Sequence, residues 1–226
     1  MGKAMKTEIT NIKKKYGKKA VLDGVSLSAE SGEIIGIIGG NGSGKSTLLT
    51  ILAGIVGSDG GDFIYDGKSL FEDKKTREKV LGFVPQSTPL LEELSAFDNL
   101  RLWYSKKEMK TEIENGVLKS LGIDEFLKTP VYKMSGGMKK RLSIGCAVAH
   151  SPEILLLDEP TTSLDLVCRE KIADYLKGFT KKGGTAILVT HEASEFELCD
   201  KIFILKEGKL YPFEFDGNIK KLVDSL

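Results

Sequence analysis

Short apolar runs of strand length recur along the chain, and stretches with a helical spacing of apolar residues lie between them. Residues 7–12 alternate between apolar and polar side chains, whereas mostly apolar runs occupy residues 33–38, 80–84, 154–158, 185–190 and 201–205. A run without alternation is typical of a strand buried on both faces, as in a parallel sheet covered by helices. The pattern therefore predicts an α/β fold with a mainly parallel sheet.

Two stretches depart from this alternation. Residues 62–65 have a strand pattern and are followed by Asp66-Gly67, a hairpin-turn sequence, so we expect an antiparallel β portion. Between 90 and 133 the apolar residues recur at helical spacing: Leu91, Leu94, Phe97, Leu100 and Tyr104, then Ile113, Val117, Leu118 and Leu121. We predict one domain over residues 1–226, in which a helical subdomain (90–133) is inserted into a core formed by 1–89 and 134–226.

Composition excludes several classes of protein. Of 226 residues, 41% are hydrophobic and 29% charged, as in globular proteins. Since 33 Lys and Arg are balanced by 32 Asp and Glu, no basic field attracts nucleic acid, and we expect no such partner. The three cysteines lack metal-ligand spacing and predict reduced thiols. No apolar run approaches the roughly 18 residues of a membrane span, and the N-terminus lacks a signal-peptide core, so we expect a chain that does not itself cross a membrane.

A glycine-rich loop follows the strand predicted at residues 33–38. Its sequence fits the phosphate-loop pattern, with ATP contacts expected at Gly39, Asn41, Gly42, Ser43, Gly44, Lys45, Ser46 and Thr47. Backbone N–H groups of such a loop point at phosphate oxygens, and the following helix adds the positive end of its dipole. Lys45 is expected to contact the β and γ phosphates and Ser46 to hold Mg²⁺. The alternative is a chance glycine-rich turn, which the flanking strand and helix disfavour.

Two adjacent acids, Asp158 and Glu159, stand at the end of the run at residues 154–158. Parallel sheets bind ligands beyond the carboxyl ends of their strands, which is also where the phosphate loop would lie. Asp158 is expected to hold Mg²⁺, directly or through water, and Glu159 to take a proton from the attacking water or to orient and polarise it. Taken alone, the pair is equally compatible with solvated acids at a strand end.

A further motif indicates a family. Residues 134–138, Met-Ser-Gly-Gly-Met, match the signature loop of ATP-binding cassette (ABC) ATPases, usually Leu-Ser-Gly-Gly-Gln. Single residues accompany it in the family's order: Tyr16 at the adenine position, Gln86 after the strand at 80–84, Asp165 in the D-loop and His191 after the strand at 185–190. The chain thus resembles the nucleotide-binding domain of ABC ATPases over residues 6–210.

The resemblance implies a P-loop NTPase core and an ATP hydrolase that works as a head-to-tail dimer. In the family, the residues equivalent to Ser135, Gly136 and Gly137 contact nucleotide held by the other subunit. The remaining implied roles are adenine stacking by Tyr16, Mg²⁺ binding by Ser46, Gln86 and Asp158, and catalysis by Glu159, His191 and Lys45. Tyr16 is also compatible with an ordinary strand aromatic residue.

The resemblance also implies partners and a location. A second nucleotide-binding subunit, most simply another copy, would complete the sites, and an integral membrane permease would hold the pair at the cytoplasmic face of the cell membrane. Residues 84–100 resemble exporter-type subunits more than importers. The alternative is a non-transport ABC ATPase that regulates a cell-division or other mechanical complex.

The remaining interpretations concern side chains outside the family motifs or departing from them. Met138 replaces the usual glutamine and loses its amide hydrogen bonds, but the serine and glycines stay, so we expect activity. We interpret Lys139-Lys140-Arg141 as a solvated helix face and His150 as a structural residue at a helix C-terminus.

Three aromatic residues in the helical subdomain have two interpretations. Phe97, Trp103 and Tyr104 form either a buried stripe, which we favour, or a contact for a membrane subunit.

Overall fold

The computed structural model describes residues 5–217. Residues 1–4, which enter the signal-peptide prediction, and residues 218–226 of the predicted domain lie outside the described residues. The strands are β1 (Lys6–Tyr16), β2 (Lys19–Glu30), β3 (Ile34–Ile38), β4 (Gly60–Tyr65), β5 (Lys68–Ser69), β6 (Leu81–Val84), β7 (Ile154–Asp158), β8 (Thr185–Val189), β9 (Lys201–Lys206) and β10 (Lys209–Phe213). The α-helices are α1 (Lys45–Leu52), α2 (Lys74–Val80), α3 (Ala96–Leu100), α4 (Lys106–Asn115), α5 (Val117–Ser120), α6 (Gly136–Ala147), α7 (Leu166–Lys181) and α8 (Ala193–Phe196).

The larger sheet has the strand order β10-β9-β3-β8-β7-β6. Its strands from β9 to β6 are parallel, and β10 adds an antiparallel edge. Every residue of β3, β7 and β8 is buried, as their unbroken apolar runs require. The predicted α/β class with a mainly parallel sheet is confirmed, and the loops after β3, β6, β7 and β8 leave the same edge.

The smaller sheet is antiparallel, in the order β2-β1-β4-β5, and the predicted hairpin at Asp66-Gly67 joins β4 to β5. Three elements escaped the sequence prediction: β2, α2 and β10. In β2 the alternation is interrupted around Asp23 and Gly24. Helix α2 has no apolar stripe, and the Asp73 side chain, which accepts a hydrogen bond from the Thr76 N–H, caps its start.

The described elements between 90 and 133 are all helical, including two 3₁₀ turns at Ile123–Phe126 and Val131–Lys133. The predicted single stripe from Leu91 to Tyr104 is wrong, because the helix begins only at Ala96, with Ser95 as its cap. The buried Asn99 side chain accepts from the Leu91 N–H and donates to the Leu91 carbonyl, which holds that segment as a loop.

The aromatic residues divide between the two interpretations. Phe97 and Trp103 are exposed, so the buried-stripe interpretation is wrong for both. Tyr104 is buried, and its hydroxyl donates to the Gly145 carbonyl.

Two hydrophobic clusters cover the faces of the larger sheet. One packs the antiparallel sheet and α1 against it, and the other packs α6, α7 and the helical subdomain against the opposite face. Because successive strand residues point to opposite faces, β7 directs Leu156 into the first cluster and Leu155 and Leu157 into the second. No helix in the described range 5–217 has the length and apolar character that a bilayer span requires.

Candidate functional site

The loop between β3 and α1 depends on glycine at several positions. Gly42 and Gly44 have φ of 74° and 107°, in the left-handed region that side chains disfavour. At Gly39 a Cβ atom would lie 2.5 Å from the Leu205 carbonyl oxygen, and at Gly44 it would lie 2.9 Å from Cγ1 of Val21. The loop therefore packs tightly against β2 and the end of β9, and α1 begins directly at Lys45.

The Lys45 ammonium lies inside this loop. It donates to the Gly39 and Gly40 carbonyls at 2.7 and 3.0 Å and is largely buried. Burial lowers its pKa, while the carboxylates of Glu159 and Asp158 act in the opposite direction. A cation is thus held between the loop and the two acids.

Asp158 ends β7 and is only 4% exposed. Burial raises its pKa and the charge of Glu159 adds to the effect, whereas the Ser46 hydroxyl, Lys140 and Lys45 stabilise the ionised form and lower it. The structure therefore brings Ser46, Lys45 and Asp158 together at the end of β7.

Glu159 is held in a strained backbone conformation. Its φ is 47°, a region that costs a non-glycine residue about 1–3 kcal/mol, and its N–H donates to the Val189 carbonyl at 2.9 Å. One carboxylate oxygen accepts from Gln86 Nε2 at 3.0 Å, and the other lies 3.6 Å from His191 Nε2. Gln86, which follows β6, and His191, which follows β8, thus both lie beside the carboxylate of Glu159, which follows β7.

The imidazole of His191 is partly exposed in this group. Burial lowers its pKa below the usual 6.5 and the charge of Lys45 lowers it further, while Glu159, Asp158 and Glu192 oppose the shift. His191 is therefore mainly neutral at pH 7, with one ring nitrogen as donor and the other as acceptor.

A charged pair beside His191 was missed by the sequence analysis. Both terminal nitrogens of Arg169 donate to the Glu192 carboxylate, at 2.7 and 3.2 Å, and Arg169 Nε donates to the Leu164 carbonyl. These contacts join α7, the D-loop and the segment after β8. Arg169 and Glu192 are 23 residues apart along the chain, so no local sequence pattern indicates that they pair.

The signature residues begin α6. The Ser135 side chain caps the helix by accepting from the Met138 N–H. A Cβ atom at Gly136 would meet only Leu164, at 3.7 Å, whereas one at Gly137 would overlap the Cys168 sulfur. Asp165 caps α7 in the same way, accepting from the Cys168 N–H at 2.9 Å, and this bond lowers its pKa.

Two parts of the predicted site, the signature residues and Tyr16, have no described hydrogen bond or ion pair with Asp158 or Glu159. No hydrogen bond or ion pair of residues 5–217 joins Ser135, Gly136 or Gly137 to the phosphate loop. Tyr16 ends β1 with its ring half-exposed and 5.6 Å from Lys14 Nζ.

Two interpretations of basic residues need correction. Lys140 and Arg141 are buried, so Lys139-Lys140-Arg141 is not a solvated face. Helix α6 is buried on most sides, and the apolar and small residues that follow Arg141 were the signal for this. His150 keeps a structural role, but it lies beyond the end of α6, and its Nε2 is 3.0 Å from the Leu81 carbonyl oxygen.

The oxygen donors near β7 suit a small divalent cation. Ser46, Asp158 and Gln86 offer a hydroxyl, a carboxylate and an amide oxygen, the hard ligands that Mg²⁺ prefers. Within the described residues, no group of three or more His, Cys, Asp or Glu could hold a metal ion. The three donors Ser46, Asp158 and Gln86 suit Mg²⁺, which usually keeps several water ligands and takes few ligands from the protein.

Comparisons with known proteins agree along most of the chain. A family model described as ABC transporter matches residues 22–162. The linearmycin resistance ATP-binding protein LnrL of Bacillus subtilis (strain 168) is 37% identical over 206 residues, which is 88% of this chain but 66% of the relative, just under two thirds. The lantibiotic transport ATP-binding protein SrtF of Streptococcus pyogenes is 33% identical over 222 residues, 96% of each chain.

Solved structures share the architecture. A dimeric ATP-binding cassette in a post-hydrolysis state, bound to ADP and Pi, aligns with a TM-score of 0.81 and 30% identity over 94% of this chain and 100% of that one. A nucleotide-free ATP-binding cassette from an ABC transporter aligns with a TM-score of 0.85 over 97% of this chain and 95% of that one. The second is 22% identical, so its likeness concerns the fold alone.

Proposed function

The chain belongs to the ABC transporter family of ATP hydrolases, and from that membership we propose that it powers the export of a substrate through a separate membrane subunit. Residues 39–47 bind the ATP phosphates, with Lys45 at the β and γ phosphates, and the Tyr16 ring stacks on adenine. Ser46, Gln86 and Asp158 hold Mg²⁺, which neutralises phosphate charge when it is bound.

Hydrolysis depends on Glu159 in this proposal. Its carboxylate takes a proton from the attacking water. Gln86 and His191 hold that carboxylate in place, one at each oxygen. The low pKa of His191 supports a neutral imidazole that orients water and γ-phosphate through hydrogen bonds.

The working unit is a dimer of two copies arranged head to tail. Ser135, Gly136 and Gly137 of one copy contact the γ-phosphate held by the other through the N-terminus of α6. The open surface at Gly136 supports close approach of a phosphate, and the solved relative named above is dimeric. ATP binding closes the pair, and hydrolysis and phosphate release reopen it.

One observation carries the transport role: an exposed apolar patch on the helical subdomain, formed by Leu91, Phe97, Leu102 and Trp103. Backbone and side-chain hydrogen bonds to Asn99 or Leu100 hold Leu91, Leu102 and Trp103 around α3. Exposed apolar groups gathered in this way mark interaction surfaces. We assign the patch to the membrane permease, which places the chain at the cytoplasmic face of the membrane. The relatives named for linearmycin resistance and lantibiotic transport support export.

Site-specific photocrosslinking in cells tests this assignment. A photoreactive residue at Trp103 should form an adduct with a protein that has several membrane spans. Tyr211, which is also an exposed aromatic residue but lies on the edge strand β10 of the larger sheet, provides the control position and should give little of that adduct. An adduct with a soluble cell-division or other mechanical partner would instead support the non-transport alternative.

A further inference from the structure

Lys140 is a buried cation whose described hydrogen-bond acceptors are two backbone carbonyls. Its side chain is 6% exposed on α6, and the ammonium donates to the Pro85 and Gln86 carbonyls at 3.0 and 3.1 Å. Burying an ammonium is costly unless hydrogen bonds compensate it. These two bonds therefore determine where Lys140 and the segment after β6 lie relative to each other.

The neighbouring basic residues have different partners. Lys139 donates to the exposed carboxylate of Glu92 at 3.1 Å. Arg141 donates to the Leu121 carbonyl at 2.7 Å and stacks on the Phe126 ring. Only Lys140 of these three basic residues contacts Gln86.

The two carbonyls flank the Cα atom of Gln86. The Pro85 carbonyl belongs to the peptide before Gln86, and the Gln86 carbonyl belongs to the peptide after it. A single ammonium that binds both fixes the planes of both peptides, and with them the direction in which the Gln86 side chain leaves the backbone. That side chain donates from Nε2 to Glu159 at 3.0 Å.

Lys140 also lies within the electrostatic field of the acids. Burial lowers its pKa, whereas Asp158, Glu159 and Glu195 act to raise it. Helix α6 begins at Gly136, with Ser135 as its cap, and Gly136 lies about one turn before Lys140. One rigid helix thus connects the signature residues to the ammonium.

We propose that Lys140 is a positioning residue that fixes Gln86 to the signature helix and, through the Gln86 amide, sets the orientation of the Glu159 carboxylate for hydrolysis. A shift of α6 when the signature residues meet nucleotide then reaches Glu159 by way of Gln86. This inference rests on the proposed roles of Glu159 and of the signature residues.

A double-mutant cycle on kcat tests the inference. Lys140→Met keeps the length of the side chain but removes the ammonium, so kcat should fall about tenfold while KM for ATP changes by less than about twofold. Gln86→Ala removes the amide contact with Glu159. In that background Lys140→Met should cost almost nothing, because the connection to Glu159 is already broken. Losses that simply multiply would show that Lys140 does not act through Gln86.

The matched control is Lys139→Met, the same chemical change one residue earlier on α6, which removes only an exposed ion pair and should leave kcat unchanged. An equal loss in Lys139→Met would overturn the assignment to Lys140. If Lys140→Met does not fold, the cycle is measured with Lys140→Gln, whose neutral amide can still donate and in which the same non-additivity is expected.

Glu159→Gln in the otherwise unchanged protein separates this inference from the proposed function. Turnover that survives Glu159→Gln removes the catalytic role of Glu159, and the inference with it. If Glu159→Gln loses turnover and the losses of kcat in Lys140→Met and Gln86→Ala simply multiply, only the role of Lys140 is rejected.

Discussion

At the scale of single residues, the site is defined by groups whose charge the protein environment controls. Lys45 and Asp158 are both buried, and burial favours the neutral form of each, so it lowers the pKa of Lys45 and raises that of Asp158. The opposite charge that each provides for the other acts against these shifts. Glu159 adds backbone strain, with a φ of 47°. Such strain persists where surrounding contacts hold the residue, here the Val189 carbonyl, Gln86 and His191.

Replacing the general base should separate binding from turnover. In Glu159→Gln the amide keeps the shape of the side chain but cannot accept the proton, so steady-state ATP hydrolysis should fall by at least about a hundredfold. Affinity for a fluorescent ATP analogue should stay within about twofold of the unchanged protein. Glu170→Gln, a change at an exposed acid on α7, is the control and should hydrolyse normally. Normal turnover by Glu159→Gln would contradict the assignment.

The pKa of His191 provides a pH-dependent prediction. Because burial and the Lys45 charge lower it, the folded protein binds a proton at His191 less readily than the unfolded chain does. The contribution of His191 to stability is therefore present above the unfolded value of 6.5 and is lost as pH falls from there through the lower, folded pKa.

An NMR titration measures this directly, since the chain contains two histidines. The His191 midpoint should lie below 6.5, and Lys45→Ala should raise it by removing a positive charge. A His191 midpoint that does not move in Lys45→Ala would show that the two side chains are not coupled.

At the scale of secondary-structure elements, the contact between α6 and α7 fixes the signature loop. Gly137 packs against the Cys168 side chain, whereas a Cβ atom at Gly136 would make only an ordinary contact with Leu164, at 3.7 Å. Both helices begin with a side-chain cap, Ser135 in one and Asp165 in the other. The signature loop and the D-loop therefore share one packed junction.

Two alanine substitutions at adjacent glycines test this junction. Gly137→Ala should force α6 away from Cys168 and lower the free energy of unfolding by about 1–3 kcal/mol, as overpacking usually does. Gly136→Ala meets no close atom and should change stability by less than about 0.5 kcal/mol. Thermal unfolding of both variants checks the difference. Cys168→Ala should partly restore the stability of Gly137→Ala, and a lack of restoration would mean that the sulfur is not the obstacle.

At the scale of the whole molecule, the proposed dimer divides each site between two copies of the chain. The phosphate loop and Glu159 lie at the carboxyl edge of the larger sheet, while Ser135 begins α6 with no described hydrogen bond or ion pair to that loop. A second copy in a head-to-tail arrangement would bring the halves together.

Mixing two inactive variants tests whether sites are shared between chains. Lys45→Ala impairs the phosphate loop and Ser135→Arg the signature loop, so each protein should be inactive alone. In a mixed dimer, one site carries both defects and the other carries none. With free exchange and independent sites, equal mixing should restore roughly a quarter of wild-type hydrolysis, from half the dimers with one intact site of two.

A second mixture shows what it would mean if the first mixture did not restore hydrolysis. The double variant Lys45→Ala/Ser135→Arg is mixed with wild type, and mixed dimers are isolated by differential tags. Shared sites would each carry one defect and be inactive, whereas intramolecular sites would leave the wild-type chain fully active. Full activity in that mixed dimer would contradict the head-to-tail proposal.

The sequence by itself determined the α/β class, the strands that end at the site and the ordered set of motifs that indicates the family. It could do so because buried parallel strands require unbroken apolar runs, and phosphate binding by a backbone loop requires glycines at set positions. Both requirements are local in the chain.

Only the tertiary structure decided which side chains meet and which are buried. Lys140 was interpreted as solvated, yet the packing of α6 buries it against the Pro85 and Gln86 carbonyls. Strand β2 and the Arg169–Glu192 pair were missed for a related reason. Their stability comes from partners far along the chain, and whether a basic side chain faces water or a carbonyl depends on what the fold places beside it.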